Sequence, residues 1–166
     1  MITLKPITIL SPEMPTCIAL DRIPQKKDEG YVSSNAVSLA LSYYDGQKYN
    51  PIVCRAIYEN SEMVGLITFA YLKSDPVFNE ACYRIRPIMV DKNHQNKGIE
   101  LAALELTLKE IQTKPYGEAA AVFATYNPKE DDCAKLYAAA KFTATNLTWE
   151  AADPDCTDII VKRGIA

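Results

Sequence analysis

The segment from Tyr83 to Glu100 holds the residues best suited to chemistry. It reads as an extended run, Tyr83-Arg84-Ile85-Arg86-Pro87-Ile88-Met89-Val90, then a polar loop, Asp91-Lys92-Asn93-His94, then Gln95-Asn96-Lys97-Gly98-Ile99-Glu100 opening a helix. The first N–H groups of a helix lack partners within it and lie at the positive end of its dipole, which suits an anionic phosphate. Gly98 lets the backbone approach such a ligand with no Cβ in the way. Pro87 cannot donate to a strand ladder, and a distortion there would splay the strand from its neighbour and open a slot. Taken alone, the residues also allow a plainer reading in which Gly98 merely permits a tight turn. No G-x-x-x-x-G-K-S/T run occurs, which excludes a P-loop, and the missing G-x-G-x-x-G run argues against a dinucleotide fingerprint. A single histidine, His94, and five scattered cysteines (Cys17, Cys54, Cys82, Cys133, Cys156) with no C-x-x-C pair build no zinc site. No metal is expected, and the cysteines read as reduced thiols in core or half-buried positions.

The elements that must position this segment follow from periodicity. Residues 2–10 alternate around Lys5-Pro6 and predict an edge strand. Ser11-Pro12-Glu13 predicts a helix start. After the polar stretch Asp21 to Gly30, Ser34 can cap a helix with Val37, Ala40, Leu41 and Tyr44 on one face, ended by Asp45-Gly46. Ile52–Tyr58 and Met63–Leu72 predict a hairpin closed by Glu59-Asn60-Ser61-Glu62. Lys73 to Glu80 is a turn region, and Cys82–Val90 a further strand. From Gly98 the period becomes helical, with Leu101, Leu104, Leu108 and Ile111 repeating at steps of three and four. Ala119–Thr125 predicts a buried strand. A helix follows with Cys133, Leu136, Tyr137 and Ala140 on one stripe, and Phe142–Glu150 and Thr157–Arg163 predict a closing antiparallel pair. The order β α α β β β α β α β β predicts one α/β domain over 1–166, a mixed sheet with helices on both faces.

The 166 residues suffice for one domain with a proper core, and 48% hydrophobic with 23% charged residues excludes a disordered chain. Lys+Arg 18 against Asp+Glu 21 leaves a net charge of −3, which argues against nucleic-acid binding and is compatible with a cationic small substrate. No apolar run approaches the ~18 residues that cross a bilayer, and the first residues lack the pattern of a secretory leader. The expectation is a cytoplasmic protein with no nucleic-acid or membrane partner.

The Ile-Met-Val-Asp strand end followed by Gln95-Asn96-Lys97-Gly98 resembles the Q/R-x-x-G-x-G/A motif of the GCN5-related N-acetyltransferase (GNAT) superfamily. Downstream, Asn127 and then Ala134-Lys135-Leu136-Tyr137-Ala138-Ala139-Ala140-Lys141-Phe142 resemble that family's asparagine followed by its Ala, Leu-Tyr and Gly-Phe. The order of strands and helices is similar across nearly the whole chain. Within the superfamily, Tyr31-Val32-Ser33-Ser34-Asn35, with Ser38 and Ala40, is similar to a segment of bacterial spermine/spermidine acetyltransferases. The resemblance implies a mostly antiparallel sheet with one splayed parallel pair, Cys82–Val90 and Ala119–Thr125, and acetyl-CoA as co-substrate in the cleft between them. It implies that backbone groups of Ile88, Met89 and Val90 pair with the pantetheine arm like an added strand. N–H groups of Gln95, Asn96, Lys97, Gly98, Ile99 and Glu100 would hold the pyrophosphate, with Asn127 and Ala134 on the pantetheine. Tyr137 would be the general acid that protonates the departing thiolate; read without the family, it is core.

Two positions depart from the family pattern. Glu100 replaces its second small residue: the carboxylate suits the helix dipole but repels a pyrophosphate, at a cost of about 1 kcal/mol if the side chain swings to solvent. Lys141 replaces the glycine before Phe142, where a left-handed conformation would cost ~1–2 kcal/mol. The general base is unassigned: the strand before the loop carries Arg84 and Arg86, and Glu29, Glu80, Asp91, His94 or a water chain are the candidates. The expected function is transfer of an acetyl group to a primary amine of a small molecule, a polyamine among them, with a homodimer compatible. The alternatives are a catalytically weak binding or regulatory domain and an acetyltransferase of protein lysines or N-termini.

Overall fold

The computed structural model describes residues 1–21, 34–48, 50–86, 88–129, 131–150 and 157–165. Strand β1 (Ile2–Pro6) pairs only with β2 (Ile52–Glu59) and lies at one edge of the sheet, as the proline near its end requires. β2 turns directly into β3 (Glu62–Leu72), and Asn60 takes a left-handed φ of 58° in the turn. Across the sheet follow β4 (Cys82–Ile85), β6 (Ala121–Tyr126), β8 (Thr157–Gly164) and β7 (Thr143–Glu150). Every neighbouring pair is antiparallel except β4 and β6, which run parallel. The two-residue β5 (Met89–Val90) stands off this path and pairs with β3 alone.

Helices cover both faces. α1 (Met14–Ala19) and α2 (Asn35–Lys48) contribute Cys17 and Leu39 to a cluster with Cys54, Ala56 and Leu66. α3 (Ile99–Gln112) and α4 (Asp131–Ala139) pack Leu104, Leu108, Ile111 and Tyr137 against Val53, Phe69, Tyr83 and Ile85. Those strand residues alternate with the first set, so the two helix layers lie on opposite faces. β3 is buried along nearly its whole length because both its faces are covered.

The expected elements form in the expected order, with instructive differences. Ser11 does not start α1; its Oγ accepts from Thr8 N–H, and the helix begins at Met14 behind Glu13. Ser34 does cap α2, accepting from Val37 N–H at 3.3 Å, but the buried stripe is not the expected one. Val37, Leu41 and Tyr44 are exposed, whereas Asn35 and Leu39 are buried. Asn35 donates to Cys17 O at 2.7 Å and Cys54 Sγ to Ser42 Oγ, so polar contacts turn the helix. The helix also runs through Asp45-Gly46 to Lys48. The expected strand Cys82–Val90 is two strands, β4 and β5.

Candidate functional site

The break between β4 and β5 creates the site. Against β3, Ile85 pairs with Phe69 and Met89 with Leu66, so four steps on one strand oppose three on the other. That extra residue bends the chain away from its neighbour. β4 pairs with β6 only at Tyr83↔Val122 and Arg84↔Phe123. β6 then continues along β8 as far as Tyr126, while β5 stays on β3. The parallel pair is therefore open at its C-terminal end, and one backbone edge of Met89–Val90 faces the gap. The slot expected around Pro87 is present; Pro87 itself lies outside the described residues.

The loop leaving β5 is held from several sides. Asp91 N–H donates to Val64 O, and its carboxylate accepts from Asp21 N–H at 2.8 Å and from both the backbone and side chain of Asn93. Burial pushes the Asp91 carboxyl pKa up, but these donors outweigh it and hold the pKa below the usual carboxylate value. Lys92 N–H donates to Asp21 O, and its ammonium lies 3.3 Å from the Asp21 carboxylate. His94, closing a single 3-10 turn, sits 3.3 Å from Glu59 and 3.5 Å from Glu62, the two ends of the β2–β3 turn. Gln95 turns its side chain inward to Val90 O at 2.6 Å. Asn96 and Gly98 both take left-handed φ, 62° and 73°. Gly98 is the N-cap of α3, no side chain caps that end, and a Cβ there would meet nothing within 4 Å. The N-terminal end of α3 is thus uncapped by any side chain and open around Gly98, the arrangement that suits an anion.

The other arm of the split ends at Asn127, which is buried and accepts from Lys129 N–H at 2.9 Å. Tyr137, on α4, is also buried; its ring lies 6.0 Å from that of Tyr126 at the end of β6 and meets Phe142 edge-on at 5.4 Å. α4 closes with Lys141 at φ 62°. Phe142 N–H bonds to Tyr137 O and Lys141 N–H to Ala138 O, the paired bonds of a Schellman cap that fixes the Tyr137 backbone. A groove of about 240 Å³ between the C-terminal halves of α3 and α4, lined by Glu105, Lys109, Lys141 and Arg163, lies at the opposite end of α3 from Gly98. It is smaller than the ~300–1,000 Å³ of usual ligand sites.

A scan against protein-family models and a search of curated protein sequences find no match. Solved structures do match, over essentially the whole chain. An Arabidopsis thaliana NAA60 structure in complex with acetyl-CoA has a TM-score of 0.68 at 13% identity, covering 99% of both chains. The Escherichia coli ribosomal-protein-S18-alanine N-acetyltransferase has 0.68 at 14% identity, covering 100% of this chain and 95% of that one. A spermidine N-acetyltransferase SpeG chimera from Vibrio cholerae and hSSAT has 0.67 at 12%, covering 99% and 95%. The fold is that of the GNAT acetyltransferases.

Placed on the GNAT fold, the expected residues divide into two groups. Ile88, Met89 and Val90 line one arm of the split and Gln95 to Glu100 the helix end beside it, while Asn127, Ala134 and Tyr137 belong to the other arm. Gln95 is committed through its side chain to bracing Val90 rather than left free. Ala134 lies on α4 three residues before Tyr137 and is half-buried. Among the base candidates, Glu29 lies outside the described residues. Glu80 pairs with Lys162 at 3.6 Å beyond the closed end of β4. Asp91 and His94 brace the loop. Sequence reasoning missed that bracing, because nothing local marks Asp21, Glu59 or Glu62 as partners.

Proposed function

We propose that the chain is an acetyl-CoA-dependent N-acetyltransferase acting on a primary amine of a small molecule. The single observation that carries this is the open parallel pair beside the uncapped end of α3. The edge of Met89–Val90 that pairs with no strand suits the amide-bearing pantetheine arm as an added strand, and the N–H groups around Gly98 suit the diphosphate. In the reaction the amine nitrogen attacks the thioester carbonyl carbon and a C–N bond forms. The C–S bond then breaks, the nitrogen gives up a proton to solvent water, and the thiolate takes one. Tyr137 is the group proposed to supply that proton and to be reprotonated from solvent. A phenol of ordinary pKa ~10 gives its proton to a thiolate of ~8.5 slightly uphill, so positioning carries the step. The packing of its ring and the cap on its backbone support that role.

The test is a calorimetric CoA titration followed by thiol release from acetyl-CoA across an amine panel. That panel includes polyamines, which the Tyr31–Ala40 resemblance and the SpeG neighbour favour, and N-terminal peptides, which the S18-alanine enzyme favours. CoA binding without turnover of any amine would overturn the enzyme reading. A second reading, a domain that binds poorly or only regulates, is favoured by Glu100 in the first turn of α3. CoA at 100 times its Kd should stabilise a binder by ~2.7 kcal/mol, and the absence of a thermal shift would favour the second reading.

A further inference from the structure

Arg86 is the last described residue before the break, and its N–H is pinned to Thr68 O at 2.8 Å. Arg86 is half-buried and its guanidinium, among the described residues, makes no hydrogen bond or ion pair. Arg84, two residues earlier, is the contrast. Burial pushes its pKa down, the nearby charge of Arg86 adds to that, and the carboxylates of Asp75 and Asp158 oppose it. Tyr83 and Ile85 belong to the α3–α4 core, so alternation along the strand turns Arg84, and Arg86 two residues on, to the other face. Ile85, Leu104 and Tyr137 belong to the apolar cluster on the α3–α4 face, so the arginine face is the polar approach to the gap. A guanidinium is a planar fork that fits a carboxylate, and one with no ion pair among the described residues is poised to take one from a ligand.

We propose that the acceptor carries a carboxylate within a few bonds of its reactive amine, as an α-amino acid does, and that Arg86 receives it. This rests on the acetyltransferase reading and narrows its substrate class. An acceptor whose remaining groups are all ammonium would instead set a like charge against Arg86, which ranks diamines and polyamines below their carboxylated counterparts.

The test uses matched acceptors that differ only in the carboxylate: ornithine against putrescine, and lysine against cadaverine. In the full-length wild type the carboxylated member of each pair is expected to have at least about tenfold higher kcat/KM, since a charge-assisted contact of this kind is worth on the order of 10- to 100-fold. Arg86→Gln should bring the ratio to within about threefold of unity, mainly by raising KM for the amino acid, and Arg86→Lys should keep part of the preference. Preference for the diamines in wild type, or an equal loss on both members in Arg86→Gln, overturns the proposal. The wild-type ratio decides even if the variant fails to fold. Turnover favouring diamines sinks this proposal alone; CoA binding with no amine turned over sinks the acetyltransferase reading and this proposal with it.

Discussion

The two arms of the split are secured by different physics. The Asp91–Gly98 arm is held by polar contacts from outside itself: Asp21 beyond α1, Val64 on β3, and Glu59 and Glu62 at the β2–β3 turn. The Asn127–Phe142 arm is held by apolar packing around Tyr137 and by a helix cap that carries a lysine in a left-handed conformation. The difference suits the two proposed tasks. A diphosphate needs several N–H groups fixed in direction, which hydrogen bonds enforce, whereas a proton donor needs one side chain fixed in place, which packing achieves.

The largest effect should come from the packed arm. Tyr137→Phe removes the phenolic proton and little volume, so CoA affinity should hold while kcat falls by about 100-fold or more, the usual scale for a positioned acid. Single-turnover kinetics with a calorimetric CoA titration check both halves. An unchanged kcat would reduce Tyr137 to core and leave the acid elsewhere.

Asp91 is the corresponding test of the braced arm. Asp91→Ala strips the acceptor from Asp21 N–H and from two groups of Asn93, and should cost about 2 kcal/mol of stability with at least tenfold weaker CoA binding. The pH dependence has a fixed sign. The folded pKa is depressed, so this carboxylate's stabilisation is complete above its ordinary value near 3.8 and disappears as pH falls through the lower folded value. Denaturant midpoints between pH 6 and pH 3 should fall more for wild type than for Asp91→Asn. Equal slopes would show that the loop stands without its carboxylate.

The asymmetry between the arms also explains what the sequence could disclose. The helix from Ile99, the loop glycine and the apolar stripe through Tyr137 are local patterns and are legible. The left-handed Lys141 is legible only through the resemblance, which puts a glycine at that position. The break in the Cys82–Val90 strand is half-legible: Pro87 marks it, but the register offset against Phe69 and Leu66 belongs to a partner strand. The bracing is not legible, since Asp21 and Asp91 are 70 residues apart and Glu59 and His94 are 35 apart. The buried face of α2 is not legible for a similar reason. Asn35 and Ser42 are held by Cys17 and Cys54, and a hydrophobicity pattern gives polar contacts no weight.

The cap that anchors Tyr137 can be improved. Lys141 pays for its φ of 62° with a Cβ close to a carbonyl oxygen, and Lys141→Gly should stabilise the fold by about 1 kcal/mol, offset in part by the freer unfolded chain. A denaturant melt should show the gain with an unchanged slope. Destabilisation would mean that the exposed lysine side chain contributes more than its backbone costs, and that the packed arm depends on charge after all.

The smallest effect probes the one feature of the braced arm that opposes its proposed task. Glu100 stands in the first turn of α3, partly exposed and with no ion pair among the described residues. Its carboxylate is favourable to the helix dipole and unfavourable to a diphosphate at the same N–H groups. Glu100→Gln keeps the length and helix propensity of the side chain while removing the charge, so the two effects should separate. Stability should fall by about 0.5 kcal/mol, and CoA should bind about threefold more tightly at low salt, with the gain shrinking at 0.5 M salt as screening sets in. Tighter binding that ignored salt would point to shape rather than charge. Weaker binding would mean that residue 100 helps to hold the ligand, and that the departure from a small residue there is an adaptation of this chain and not an obstacle in it.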